Sequence, residues 1–153
     1  MLSMTTTKNK FRIAIIGGPR TGKTTLAHKL ADGAFIPIRH TDDLIEMGWS
    51  EASAYAAKWF DEDGPWVIEG VAVGRALRKW LNANVSHVFP GKDAYKPSVE
   101  TRVKPCDKLI VLTEPHMALG RGQETMAKGV FAVLDEIVPE LISIGVEIEW
   151  DNT

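Results

Sequence analysis

Apolar residues in this chain fall in short runs separated by amphipathic stretches. Phe11 to Ile16, "FRIAII", is aliphatic enough for a buried strand. In Lys23 to Asp32, "KTTLAHKLAD", Leu26, Ala27, Leu30 and Ala31 recur at helical spacing, and Gly33 supplies a stop. Phe35 to Arg39, "FIPIR", predicts a second strand, at an edge or irregular because Pro37 has no N–H for a ladder. Ser50 reads as the cap of a helix reaching Phe60. "GPWVIEG", Gly64 to Gly70, predicts a turn and a third strand that ends abruptly. Arg75 to Ala83 is helical, "DKLIVLTEP" from Asp107 is a fourth strand stopped by Pro115, and Gln123 to Ile144 is a long helix with Pro139 as a kink or break. "GVEIEW", Gly145 to Trp150, makes a fifth strand.

Strands alternating with helices imply an α/β domain whose parallel sheet is covered on both faces. With 153 residues there is room for one domain, read here as 11–153 behind a disordered leader at 1–10. The leader, "MLSMTTTKNK", has no apolar core, so it is not a secretory signal, and no apolar run is long enough to span a membrane. The single cysteine, Cys106, excludes an internal disulfide and a cysteine-based zinc site, and a cytoplasmic setting follows. His87 and His116 have no partner at ligand spacing.

The net charge of −2 hides an asymmetry. From Gly74 to Lys108 there are eight Lys/Arg (Arg75, Arg78, Lys79, Lys92, Lys96, Arg102, Lys104, Lys108) against Asp93, Glu100 and Asp107. Such a segment is either a surface that meets an anion or a solvated helix face and loop. It contains Asn82 to Pro105, a stretch without clear structure and a candidate binding loop.

Between the first strand and first helix stands Gly17-x-x-x-x-Gly22-Lys23-Thr24, a complete P-loop. Glycines let the backbone curl so that successive N–H groups converge on an anion, and the helix adds its positive end at the same place. The stretch Gly18, Pro19, Arg20, Thr21, Gly22, Lys23, Thr24 and Thr25 is therefore expected to cradle the phosphates of ATP. Lys23 reaches the outer phosphates, Thr24 is placed to ligate Mg²⁺, and Thr25 supports the α-phosphate.

The run "GGPRTGKTT" resembles adenylate kinases and related small P-loop kinases, with Arg20 where adenylate kinases usually carry glycine. The resemblance extends to shikimate kinase and the topology-modulation proteins through "HTDDLIEMGW" after strand two and "WVIEG" at strand three. It implies a three-layer P-loop NTPase fold with a five-stranded, mainly parallel sheet of order 2-3-1-4-5. It also implies site roles. Asp42 would orient and deprotonate the acceptor hydroxyl, with Asp43 as the alternative base or a cap. Glu69 would hold Mg²⁺ or the acceptor. Arg75 and Arg78 would meet an acceptor phosphate. Arg121, in the short lid "EPHMALGRGQET", would neutralise charge on the transferring group. His40 stands near enough in sequence to tune Asp42, and Trp49 and Trp59, flanking the acceptor-side helix, are the tryptophans expected to touch a planar substrate, with core packing the better reading of Trp59.

A regulatory GTPase would share the loop but needs an Asn-Lys-x-Asp motif, and none occurs. "DEDG", Asp61 to Gly64, has the letters of a switch motif but precedes a strand, so it reads as a turn. What remains is an ATP-dependent phosphotransferase, with a non-catalytic ATP-binding module as the rival of another class. Its acceptor is a nucleoside, nucleotide or nucleotide-like compound, or a hydroxymethyl pyrimidine in DNA. The DNA reading resembles the small kinases of phage DNA modification and would use the basic segment, with Trp80 or Tyr95 to stack on a base.

Overall fold

The structure, a computed structural model, describes residues 11–32, 36–84 and 104–151. The proposed leader, the glycine stop at 33 and most of the basic loop, with Lys92, Lys96, Arg102 and Tyr95, lie outside them. Strands β1 (Arg12–Gly17), β2 (Ile38–His40), β3 (Trp66–Glu69), β4 (Lys108–Leu112) and β5 (Glu147–Asp151) form one sheet in the order β2-β3-β1-β4-β5. Every neighbouring pair is parallel. Between the strands run α1 (Lys23–Ala31), α2 (Trp49–Trp59), α3 (Val73–Asn84) and α4 (Arg121–Ser143), with a 3-10 turn at Thr41–Met47. The expected order holds, and the sheet is parallel throughout.

The alternation of side chains along β1 feeds two cores. Ile13 and Ile15 join Val67, Ile110 and Leu112 beneath Ala27 of α1. Ala14 and Ile16 face the opposite way, toward Trp59, Leu77, Trp80, Val133 and Ile137 of the other three helices. A strand buried on both faces has no polar side, which is why "RIAII" shows no period of two.

One local expectation is corrected, and another is narrowed because the break at Pro139 is excluded. The second helix begins at Trp49, with Gly48 (φ 94°) in the cap position and no side-chain cap. Ser50 therefore lies inside the first turn, its Oγ 3.4 Å from Lys79 Nζ. Pro139 does not end α4, which continues to Ser143. Pro139 and Asp135, whose carbonyl the ring cannot bond, are both exposed, so that carbonyl turns to water without cost to the core. By contrast β2 behaves as Pro37 implied: it is an edge strand of three residues, and the Pro37 carbonyl accepts the Val67 N–H at 3.0 Å.

Because all strands run the same way, the ends of β1, β2 and β3 open onto one crevice. Two of these ends are latched together. Thr41, fully buried, accepts the Ala72 N–H on its hydroxyl at 3.3 Å. Gly70, with φ 142°, lies so close that an added Cβ would stand 1.8 Å from Thr41 Oγ1. The latch thereby fixes Asp42 relative to Glu69. Gly70→Ala is expected to destabilise the protein by about 3 kcal/mol or more, through backbone strain plus overlap with a buried side chain. Denaturant unfolding checks this, and a variant as stable as the parent would refute the latch.

Candidate active site

The loop after β1 is shaped by contacts that only its own residues allow. A Cβ on Gly17 would meet Thr21 Oγ1 at 2.6 Å and the Leu112 carbonyl at 2.9 Å. Gly22 has φ 88°, the left-handed turn that feeds the chain into α1. Thr21 donates its hydroxyl to the Gly18 carbonyl at 2.9 Å and Lys23 donates its ammonium to the same oxygen at 2.7 Å. The first-turn N–H groups of α1 have no partner within the helix, so they stand ready for an anion.

Lys23 is 7% exposed. Burial lowers its pKa from the ordinary lysine value, while Glu69 and then Asp42 push it back up. Two carboxylates thus answer a cation that would otherwise be expensive to bury.

Glu69 ends β3 and is 1% exposed. Its Oε2 accepts the Thr24 hydroxyl at 3.0 Å and lies 2.5 Å from His40 Nδ1. The β2–β3 register places His40 directly beside Glu69, so His40 meets this carboxylate and not Asp42. Glu69 Oε1 is buried without a hydrogen-bond partner. A buried carboxylate oxygen beside a P-loop hydroxyl fits a magnesium ion or a water of its shell, since that ion takes one or two protein ligands and fills the rest with phosphate and water. Among the described residues no three His, Cys, Asp or Glu side chains gather as a metal cage, so a fully protein-built metal site is not offered here.

Lys23 and Thr24 border a cavity of about 560 Å³, with Glu69 behind Thr24 and not in its lining. Pro19, Arg20, Gly22, Lys23, Thr24 and Thr25 line one side of it, and Asp42 and Trp49 line another. Gly18 and Thr21 stand behind the loop as buried support. Val71, Gln123 and Met126 complete the wall. Sequence reading missed these three. Gln123 and Met126 sit one helical turn apart, a signal that becomes usable only once α4 is known to start at Arg121.

Of the other expected residues, Arg20 stands at the cavity rim and most of the rest stand elsewhere. Arg20 is exposed, in a left-handed conformation (φ 61°), and its guanidinium meets Gln123 Oε1 at 3.3 Å and Met117 Sδ at 3.2 Å. The left-handed backbone explains why related loops use glycine there. Arg75 lies in an adjoining cavity of about 340 Å³, its guanidinium carbon 5.1 Å from the centre of the Trp49 ring. Arg78 is turned away, donating to Glu136 at 3.0 Å. Asp43 is exposed and lines neither cavity. Arg121 is exposed at the first residue of α4 and also lines neither. Trp59 is core, as its packing reading held, with Arg39 over its ring. Trp80 is 2% exposed and donates its indole N–H to Asp61 at 2.8 Å, so it offers no face to a nucleobase.

The described cations of the basic segment do not form a single surface. Arg75, Arg78 and Lys79 ride on α3. Lys104 and Lys108 gather at the opposite end of the sheet, where Lys104 pairs with Asp107 and Lys108 with Glu149. The bond to Glu149 raises the Lys108 pKa.

No protein-family description matches the chain, and no curated protein matches it in sequence. Among solved structures it is similar to shikimate kinase from Acinetobacter baumannii in complex with shikimate. That similarity has a TM-score of 0.54 at 11% sequence identity, over 97% of this chain and 88% of the other. The fold is that of the P-loop kinases. With identity this low the likeness speaks for the backbone arrangement, and the chemistry must come from the side chains just described. None of the described helices is long and apolar enough to cross a membrane.

Proposed function

We propose that the chain transfers the γ-phosphoryl group of MgATP to a hydroxyl of a nucleoside, nucleotide or nucleotide-like acceptor. The observation that carries this reading is the meeting of Lys23, Thr24 and Asp42 at one cavity, with Glu69 bound directly behind Thr24. A phosphate-binding loop alone serves switches, motors and storage modules. A further carboxylate at the end of the next strand is what an acceptor hydroxyl needs.

The roles follow from position. Lys23 leaves the Gly18 carbonyl for the outer phosphates, carrying its charge to where negative charge is transferred. Thr24 and Glu69 are the residues that would hold Mg²⁺, and the ion would supply charge neutralisation at the phosphates. Asp42 accepts the proton of the acceptor hydroxyl as its oxygen bonds to the γ-phosphorus and the bridging oxygen leaves with ADP. Gln123 and Met126 close the side facing α4.

The test is transfer of label from γ-labelled ATP, offered to nucleosides, to nucleotides and to DNA containing hydroxymethylated pyrimidines. Label on a small acceptor supports the metabolite kinase. Label on the DNA moves the acceptor to a polymer, with steep salt dependence as its mark. ATP binding with no transfer to any acceptor would overturn the proposal in favour of a non-catalytic module.

A further inference from the structure

The smaller cavity carries an inference about the acceptor, and it rests on the phosphotransferase reading above. It shares Trp49, Val71 and Met126 with the larger one, so the two spaces meet along these side chains. Beyond that shared wall it is bounded by α4 through Gly122, Gly129 and Val130. A Cβ added to Gly122 or to Gly129 would meet nothing within 4 Å, so this face of α4 stands clear of its surroundings. Trp49 also lines this space, with the Arg75 guanidinium over its ring.

Charge is scarce there. Among the described residues Arg75 is the single charged one lining this cavity, and its guanidinium is exposed and stacked against Trp49. Arg78, the other cation expected to serve an acceptor phosphate, is held by Glu136. The deep wall is Gly129, Val130 and Val133. A phosphomonoester dianion calls for several converging donors or cations. An uncharged aromatic ring calls for a flat apolar slot and an aromatic wall, and gains from both.

We infer that the smaller cavity takes the acceptor as a flat, uncharged ring of nucleobase type, stacked on Trp49 against the glycine face of α4, with its hydroxyl directed past Val71 and Met126 toward Asp42. The acceptor is accordingly a nucleoside or a hydroxymethylated base, not a nucleoside monophosphate. The ring is the same whether it comes as a free nucleoside or as a base turned out of DNA.

The experiment compares kcat/KM for three probes: pyrimidine nucleosides including 5-hydroxymethyl-deoxyuridine, their 5′-monophosphates, and a single-stranded oligonucleotide carrying 5-hydroxymethyl-uracil. The nucleoside or the oligonucleotide is expected to exceed the monophosphates at least tenfold. A preferred oligonucleotide whose KM rises steeply with salt identifies DNA as the source of the ring, and a salt-insensitive preferred nucleoside identifies the free compound. Gly129→Leu, which fills the slot with a good helix former, is expected to raise the acceptor KM at least tenfold while ATP affinity stays unchanged. Trp49→Ala is expected to raise it roughly ten- to a hundredfold, the loss of one stacking contact, with Trp49→Phe restoring most of it. A preference for the monophosphate, or for an acceptor without a ring, overturns the inference and leaves the phosphotransferase reading in place. So does an acceptor KM unmoved by Gly129→Leu. ATP binding with no transfer to any probe overturns both.

Discussion

Lys23→Met is expected to lower phosphoryl transfer by about a hundred- to a thousandfold, the cost of removing one preorganised charge at the transferring group. The structure gives the reason for so large an effect from one ammonium. Lys23 is buried, with its pKa drawn down by burial, and it is held charged by Glu69 and Asp42. A cation kept out of water interacts more strongly with phosphate than one on the surface. Methionine keeps the length and apolar stem of the side chain, so the loop retains its packing against α1. Single-turnover measurement of transfer, with unfolding melts to verify the fold, checks the expectation. Turnover at the parental rate would remove the phosphate-binding loop from the chemistry.

Asp42→Asn is expected to reduce kcat by about a hundred- to ten-thousandfold, the usual contribution of a positioned general base, while ATP binding stays close to that of the parent. The separation of effects follows from where Asp42 sits. It follows β2, across the cavity from the loop, and among the described residues it acts on Lys23 through charge without a hydrogen bond or ion pair of its own. Asparagine therefore preserves shape and removes the capacity to take a proton together with one of the two charges that face Lys23, the other being Glu69. Asp43→Asn, at an exposed neighbour outside both cavities, is the control and is expected to change kcat little. If Asp43→Asn carried the loss and Asp42→Asn did not, the two roles would be exchanged.

The two variants mark the contrast between what the chain spells out and what only folding brings together. The loop was legible because its geometry is local: Gly17, Gly22, Lys23 and Thr24 shape one backbone turn and one helix start, all within eight residues. The strand order was legible only through the resemblance to small P-loop kinases, because alternation of strands and helices dictates parallel pairing and not order. Asp42 and Glu69 could be placed because a residue just past a parallel strand faces the crevice wherever the strand lies.

The arginines were harder, and for a physical reason. Position after β3 put both Arg75 and Arg78 near the acceptor, yet one helical turn separates a cation in the cavity wall from one turned to Glu136. His40 illustrates the same limit from the other side. Two residues from Asp42 in sequence, it meets Glu69 because β2 ends at His40, in register with β3, and the chain turns away at Thr41 before Asp42. Trp80, read as a stacking surface, has a partner in Asp61 that no spacing in the sequence announces. Contacts between distant segments decide such cases, and periodicity does not reach that far.

All these roles depend on the larger cavity holding a magnesium nucleoside triphosphate, and the measurement closest to that claim is a calorimetric titration with ATP in the presence and absence of Mg²⁺. One saturable site is expected, tightened by Mg²⁺, with the tightening lost in Glu69→Gln, where the buried carboxylate behind Thr24 is replaced by an amide. Absence of binding, or an affinity that neither Mg²⁺ nor Glu69→Gln alters, would contradict it.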